Sequence, residues 1–256
     1  MGCSCVPQGG NLSLTRFFVD SSRIRDAEVE FDSRDSHHLA VVLKRRAGDA
    51  VLVCDGKGTE YCVVLAQISK GQTVGRITDK YRLATEPATQ ITVAQALPKT
   101  LDKLEWVLQH GTELGARQFL PFYSARSRED WSRLLPKRER WQEIVRSAAE
   151  QSRRAFCPEV QPISSFEDII ARATSYDLAL FAFEDEKEIS LKTTLEQVCA
   201  TSVLIVVGPE GGFTAGEAAA AKENLFKSVS LGPRILRTET AALCLLSQIY
   251  YAYEIL

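Results

Sequence analysis

An α/β chain is what this sequence predicts: a small N-terminal β-barrel followed by a mostly parallel sheet with helices on both faces. Three observations carry that expectation. Short β-branched runs separated by turn residues fill the chain up to about Leu83, strand-like and helix-like segments alternate from Ile91 onward, and two glycine-rich loops each join an apolar strand to a helix start. With 256 residues, 45% hydrophobic and 25% charged, the chain has material for two domains and a large core.

Residues 1–14 carry Gly2, Cys3, Cys5, Gly9 and Gly10 with no apolar signal core, which predicts a disordered tail. The Met-Gly start does not make a myristoylation signal, because Val6 stands where Ser or Thr is required. Residues 16–19, 27–31, 50–54, 60–68 and 73–81 read as strands, and a small barrel over residues 15–85 accounts for them most economically. Between them, the apolar spacing of residues 36–44 suits one short helix, and Asp55-Gly56-Lys57-Gly58 is a hairpin turn. Residues 85–90, with Pro87, form a linker.

A second domain is expected over residues 90–256. Residues 91–97, 118–123, 177–183 and 203–207 are strand-like, and residues 101–114, 137–154 and 193–199 are helical, an alternation that argues a parallel sheet. The last helix, residues 239–256, is apolar on nearly every side and is expected to be buried, against a second subunit.

Chemistry concentrates in the two loops. After the run 203–207 comes Gly208-Pro209-Glu210-Gly211-Gly212; Thr214 and Glu217 then form a capping box, with Phe213 placed to staple onto Ala218. After the run 228–231 comes Gly232-Pro233-Arg234-Ile235-Leu236-Arg237, with Thr238 as the expected cap of the last helix. Two such turns on one sheet suggest a ligand cradle at the carboxyl edge of the strands. A nucleotide polyphosphate does not fit, since neither the P-loop ending nor the G-x-G-x-x-G fingerprint is present. A cofactor held chiefly by backbone N–H and C=O groups fits better.

Other function classes recede. The net charge of -2 shows no global nucleic-acid preference, so any such surface must come from local clusters of the 31 Lys and Arg. Arg126, Arg128, Trp131, Arg133, Lys137, Arg138 and Arg140 make one cluster, followed by Arg153 and Arg154. Its plain reading is a solvated helix face; its functional reading is phosphate contact. No metal is expected, because Cys3-x-Cys5 has no partner pair and His37, His38 and His110 are too scattered for a cage. Cys54, Cys62, Cys199 and Cys244 lie in apolar stretches, as reduced thiols of a cytoplasmic protein would. No run is long enough to span a membrane.

The two loop sequences together, Gly208 to Gly212 and Leu231-Gly232-Pro233-Arg234-Ile235-Leu236-Arg237-Thr238-Glu239-Thr240-Ala241, resemble the ribosomal RNA small subunit methyltransferase E family of SPOUT methyltransferases. Less specific similarity covers most of the chain: Arg16-Phe17-Phe18-Val19, His38-Leu39, Val42-Leu43 and Gly48-Asp49 look like the family's PUA-like RNA-binding barrel. Lys99, Glu113-Leu114-Gly115, Glu150-Gln151-Ser152 and Arg154 look like its middle signatures. Departures are Lys44, where the family often has Arg, and His110-Gly111, where Lys-Ala is more usual.

The resemblance implies methylation of N3 of a uridine in 16S ribosomal RNA, a trefoil-knotted fold, a homodimer and S-adenosyl-L-methionine as cofactor. It places the cofactor against Phe183, Gly208, Pro209, Glu210, Gly211, Gly212, Leu231, Gly232, Arg234, Ile235 and Leu236. RNA would meet Arg16, His38, Lys44, Arg45, Lys99, Arg126, Arg153 and Arg154.

Taking a proton from a uracil imide and stabilising charge on its carbonyl oxygens calls for a base and a fixed cation. Arg237 could be the cation, and Glu210 or Glu239 could take the proton or orient Arg237. The plain alternative is an Arg237–Glu239 ion pair at a helix start. Two other functions remain open: a related methyltransferase acting on transfer RNA, and a ribosome-assembly factor without transfer activity.

Overall fold

The structure, a computed structural model, describes residues 14–127, 134 and 136–253. The expected tail lies outside the described residues apart from Leu14, as do Arg128, Trp131 and Arg133 of the basic cluster. The chain forms two compact units; one runs to Glu86 and takes in Ala149–Cys157, the other comprises Pro87–Ala148 and the chain from Pro158.

In the first unit, strands β1 (Arg16–Phe18), β2 (Ile24–Arg25), β3 (Glu28–Phe31), β4 (Ala50–Cys54), β5 (Thr59–Ile68) and β6 (Thr73–Arg82) pair in the order β1-β4-β5-β6-β3-β2. Every pairing is antiparallel except β1 with β4. The sheet curls on itself: Phe17 of β1 and Phe31 of β3 are far apart in strand order, yet their rings meet edge to face at 5.8 Å. Register shifts at Cys62/Val63 and Leu65/Gln67 supply the bend, and the alternating inward residues form one core with Leu39, Val51 and Val53.

The single helix expected over residues 36–44 is in fact two pieces. Helix α1 (Ser33–His37) starts on the Asp32 side chain, which accepts from the Asp35 amide at 2.7 Å, and a π-helical turn, His38–Val42, follows. Nothing in the apolar spacing distinguishes the wider turn, since Leu39 faces the core in either winding.

The second unit is a parallel sheet of β7 (Gln90–Ala96), β8 (Gln118–Tyr123), β9 (Glu159–Val160), β10 (Ser164–Ser165), β11 (Leu178–Ala182), β12 (Ser202–Val207) and β13 (Lys227–Val229). Its order is β10-β8-β7-β12-β11-β13, with β9 also beside β8. The central strands are almost continuously apolar because helices cover them. Helix α2 (Leu101–Glu113) buries Leu104, Val107, Leu108 and Gly111, one stripe at helical spacing. The remaining helices are α3 (Arg138–Gln151), α4 (Phe166–Ile170), α5 (Leu191–Gln197), α6 (Ala215–Glu223) and α7 (Thr238–Tyr253).

Helix α7 buries one face, Ala241, Ala242, Leu245, Leu246 and Ile249, and leaves Tyr251 84% exposed. Burial on every side, expected from composition, is not what one copy of the chain provides. Among the described residues, no helix is long and apolar enough to cross a membrane, and no group of three or more metal-ligating side chains forms.

Candidate active site

Four parallel strands end at one level. Gln95 of β7 lies opposite Val207 of β12, and Ala182 of β11 is in register with both Val207 and Val229 of β13. The chain leaving Ala182, Val207 and Val229 walls a cavity of about 570 Å³. On that wall the fold brings together Phe183, Gly208, Pro209, Glu210, Gly212, Leu231, Gly232, Arg234, Ile235, Leu236 and Arg237. Gly211 and Glu239 do not lie on it.

Aromatic packing sets the first loop. The ring of Phe213 sits 4.2 Å from that of Phe181 and 5.9 Å from that of Phe166, forming a floor beneath the loop. A Cβ on residue 208 would lie 3.0 Å from the Phe213 ring, tighter than ordinary contact, so a larger residue there would have to push that ring aside. Gly212 has φ +67°, and a Cβ would come within 2.3 Å of Glu184 Oε1. Thr214 and Glu217 make the capping box that starts α6, and Glu217 Oε1 also accepts from the Ala125 amide at 2.9 Å. Arg126 Nη1 donates to the carbonyls of Gly211, at 2.6 Å, and Phe213, at 3.3 Å, so this guanidinium latches the loop.

A buried polar contact joins the two loops. Thr238 Oγ1 donates to the Gly208 carbonyl at 2.5 Å and accepts from Gln95 Nε2 at 2.8 Å. Thr238 therefore does not cap α7, as its position had suggested; it is the first helical residue, and its one hydroxyl proton is committed to Gly208.

The three candidate chemical groups differ sharply in their surroundings. Glu210 accepts from Lys103 Nζ at 2.8 Å and from the Lys99 amide at 3.0 and 3.3 Å. Burial pushes its carboxyl up, but the Lys103 and Lys99 hydrogen bonds outweigh it and hold the group below its ordinary value. Glu239, in the first turn of α7, has a buried Oε2 with no hydrogen-bond partner among the described residues. Arg237 is exposed on the wall, and its guanidinium pairs with nothing among the described residues.

The expected RNA contacts divide. Arg16, 6% exposed, pairs with Glu60 at 2.7 Å and donates to the Ala149 carbonyl. Arg154, 4% exposed, grips Glu86 with Nη2 at 2.5 Å and Nε at 3.3 Å. Both hold structural pairs, and a buried, paired guanidinium could meet a phosphate only by breaking its pair. Arg45 is half buried and donates to Thr15 Oγ1. His38, Lys44, Lys99 and Arg153 are exposed, with Lys44 and Arg153 at positive φ.

Sequence reasoning missed Gln95, Lys103 and Glu184. A glutamine inside an apolar strand was the signal for Gln95. Lys103 gave none, because it looks like any polar position of an amphipathic helix.

The chain matches the family model described as an RNA methyltransferase domain over residues 85–250, and that described as an RNA methyltransferase PUA domain over residues 31–78. The ribosomal RNA small subunit methyltransferase E of Bacillus subtilis is 36% identical over 253 residues, covering 95% of this chain and 98% of the relative. The protein of that name from Mycobacterium bovis is 34% identical over 232 residues, covering 88% and 87%. Among solved structures, the ribosomal RNA small subunit methyltransferase E of Neisseria gonorrhoeae, bound to S-adenosyl methionine, superposes with a TM-score of 0.84 at 30% identity, covering 94% of this chain and 98% of that one. A putative methyltransferase from Legionella pneumophila, in complex with the same cofactor, gives a TM-score of 0.85 at 26% identity, covering 95% and 99%.

Proposed function

Because this chain belongs to the ribosomal RNA small subunit methyltransferase E family, we propose that it uses S-adenosyl-L-methionine to methylate N3 of a uridine in 16S ribosomal RNA. The observation that carries the proposal is the cavity at the three strand ends, lined by both glycine-bearing loops, with Arg237, unpaired among the described residues, on its wall. Its volume of about 570 Å³ falls within the roughly 300–1,000 Å³ typical of small-molecule sites. Glycine-rich loops on the wall, whose glycines leave the main chain uncovered by side chains, suit an adenosyl group without phosphates. Bound there, the cofactor supplies an electrophilic methyl group carried on a sulfonium.

The chain's own groups then divide the work. Residues 208–212 and 231–236 hold the cofactor through main-chain atoms, with Phe183 against it. Arg237 orients the base and stabilises charge on a uracil carbonyl oxygen. Glu210 is committed to Lys103 and Lys99 and its carboxyl is held low, which makes it a poor proton acceptor; it fixes the loop. Glu239, set behind the cavity wall with one oxygen lacking a donor among the described residues, orients Arg237 or takes the N3 proton.

In this proposal residues 15–85 grip RNA through His38, Lys44 and Arg45, with Arg153 of the same compact unit as a further contact, and residues 90–256 bind the cofactor, add Lys99 and carry the trefoil knot. A homodimer forms on the face where Trp106 and His110 of α2 and its cap residue Leu114 stand at four-residue spacing, Trp106 being 53% exposed. The protein acts in the cytoplasm.

The test is mass mapping of RNA from cells lacking the protein, followed by transfer from labelled cofactor to their small ribosomal subunits. A methyl missing from transfer RNA instead would overturn the substrate. Absence of saturable cofactor binding would leave an assembly factor. In the same assay Arg237→Ala keeps cofactor affinity and loses transfer by at least about 100-fold.

A further inference from the structure

We propose that Glu184 is the ribose-binding residue of this cavity, its carboxylate accepting hydrogen bonds from the vicinal hydroxyls of the adenosyl group; this rests on the cofactor proposed above. Glu184 lies on the cavity wall just beyond β11, and it has no ion pair or hydrogen bond among the described residues. The other wall carboxylate, Glu210, is taken up by Lys103 and the Lys99 amide.

The backbone around Glu184 makes room for it. Its carboxylate packs against Gly212, where any Cβ would overlap both oxygens, at 2.3 Å from Oε1 and 2.8 Å from Oε2. A glycine at 212 thus keeps a bare two-oxygen acceptor beside the loop that holds the cofactor. The topology points the same way, since Ala182 and Val207 are in register and the acid of one strand end therefore stands next to the glycine loop of its neighbour. Dinucleotide-binding sheets set a carboxylate against ribose hydroxyls from a neighbouring strand end in this manner. A vicinal diol offers two donors, and an ionised carboxylate two acceptors, a charge-assisted pairing stronger than a neutral one.

Calorimetric titration of S-adenosylhomocysteine and its 2′-deoxy analogue, into wild type and Glu184→Gln, tests this without any turnover. Glu184→Gln is expected to weaken S-adenosylhomocysteine by roughly ten-fold or more, and S-adenosylmethionine by the same factor. The deoxy analogue should bind wild type correspondingly weakly and be far less sensitive to the substitution. Unchanged affinity in Glu184→Gln, an equal loss for the deoxy analogue, or a loss confined to S-adenosylmethionine, as for a counter-charge to sulfonium, each overturns the assignment. So does wild type that binds the deoxy analogue as tightly as the parent, a result needing no variant. Wild type that binds none of the ligands overturns the cofactor proposal itself and this assignment with it.

Discussion

The hydroxyl of Thr238 ties together two loops whose separation decides whether a cofactor fits. It satisfies the Gly208 carbonyl and takes the Gln95 amide, all in a buried setting. Thr238→Val removes both bonds while keeping the shape; Gln95 Nε2 still reaches the Ala96 carbonyl at 3.1 Å and the Gly208 carbonyl at 3.5 Å, so the expected loss is about 1 kcal/mol. Urea denaturation should show that loss, with weaker binding of S-adenosylhomocysteine; Thr238→Ser should restore both. A valine variant as stable and as tight-binding as wild type would reduce this contact to ornament. In the sequence Thr238 resembles a cap because a threonine precedes an apolar helix, and its real partners lie 30 and 143 residues away. Lys103 and Glu210 were illegible as a pair for the same reason, being 107 residues apart. The glycines were legible because special backbone geometry leaves a mark at the residue itself.

Among the elements, β11 and β12 are pinned at their entrances by Asp177. Its Oδ2 accepts from the Thr201 hydroxyl at 2.8 Å and from the amides of Ser202 at 2.9 Å and Thr201 at 3.0 Å. Hydrogen bonds from the Thr201 side chain and then Ser202 hold this carboxyl well below its ordinary 3.8, at about 2. A carboxyl depressed by folding contributes stability above its unfolded value and loses it as pH falls through the folded one, here between about pH 4 and pH 2. Asp177→Asn should flatten the fall in melting temperature across that window; equal slopes for variant and wild type would rule the contact out as an acid-sensitive anchor. Strands of this sheet were readable because burial on both faces makes them continuous apolar runs. The π-helical turn, His38–Val42, was not, since helix period alone cannot register one extra residue in a turn.

For the molecule as a whole, the alternation of strand and helix announced a parallel sheet, and composition announced a core. Assembly was less legible, because an apolar helix face looks the same whether it meets its own core or another copy. The proposed contact between copies would use Trp106 of α2, Leu114 just beyond it and Tyr251 of α7, which are 53%, 38% and 84% exposed. Trp106→Glu combined with Tyr251→Glu should convert a dimer to monomer in sedimentation, with the circular dichroism spectrum retained; a persisting dimer would locate the interface elsewhere. The cavity wall draws on chain positions from Lys103 to Ala241, gathered only by parallel pairings of distant strands. Such pairings form late and slowly during refolding. A ligand of the finished wall therefore has nothing to grasp in early species, so its presence should slow unfolding and leave the refolding rate almost untouched.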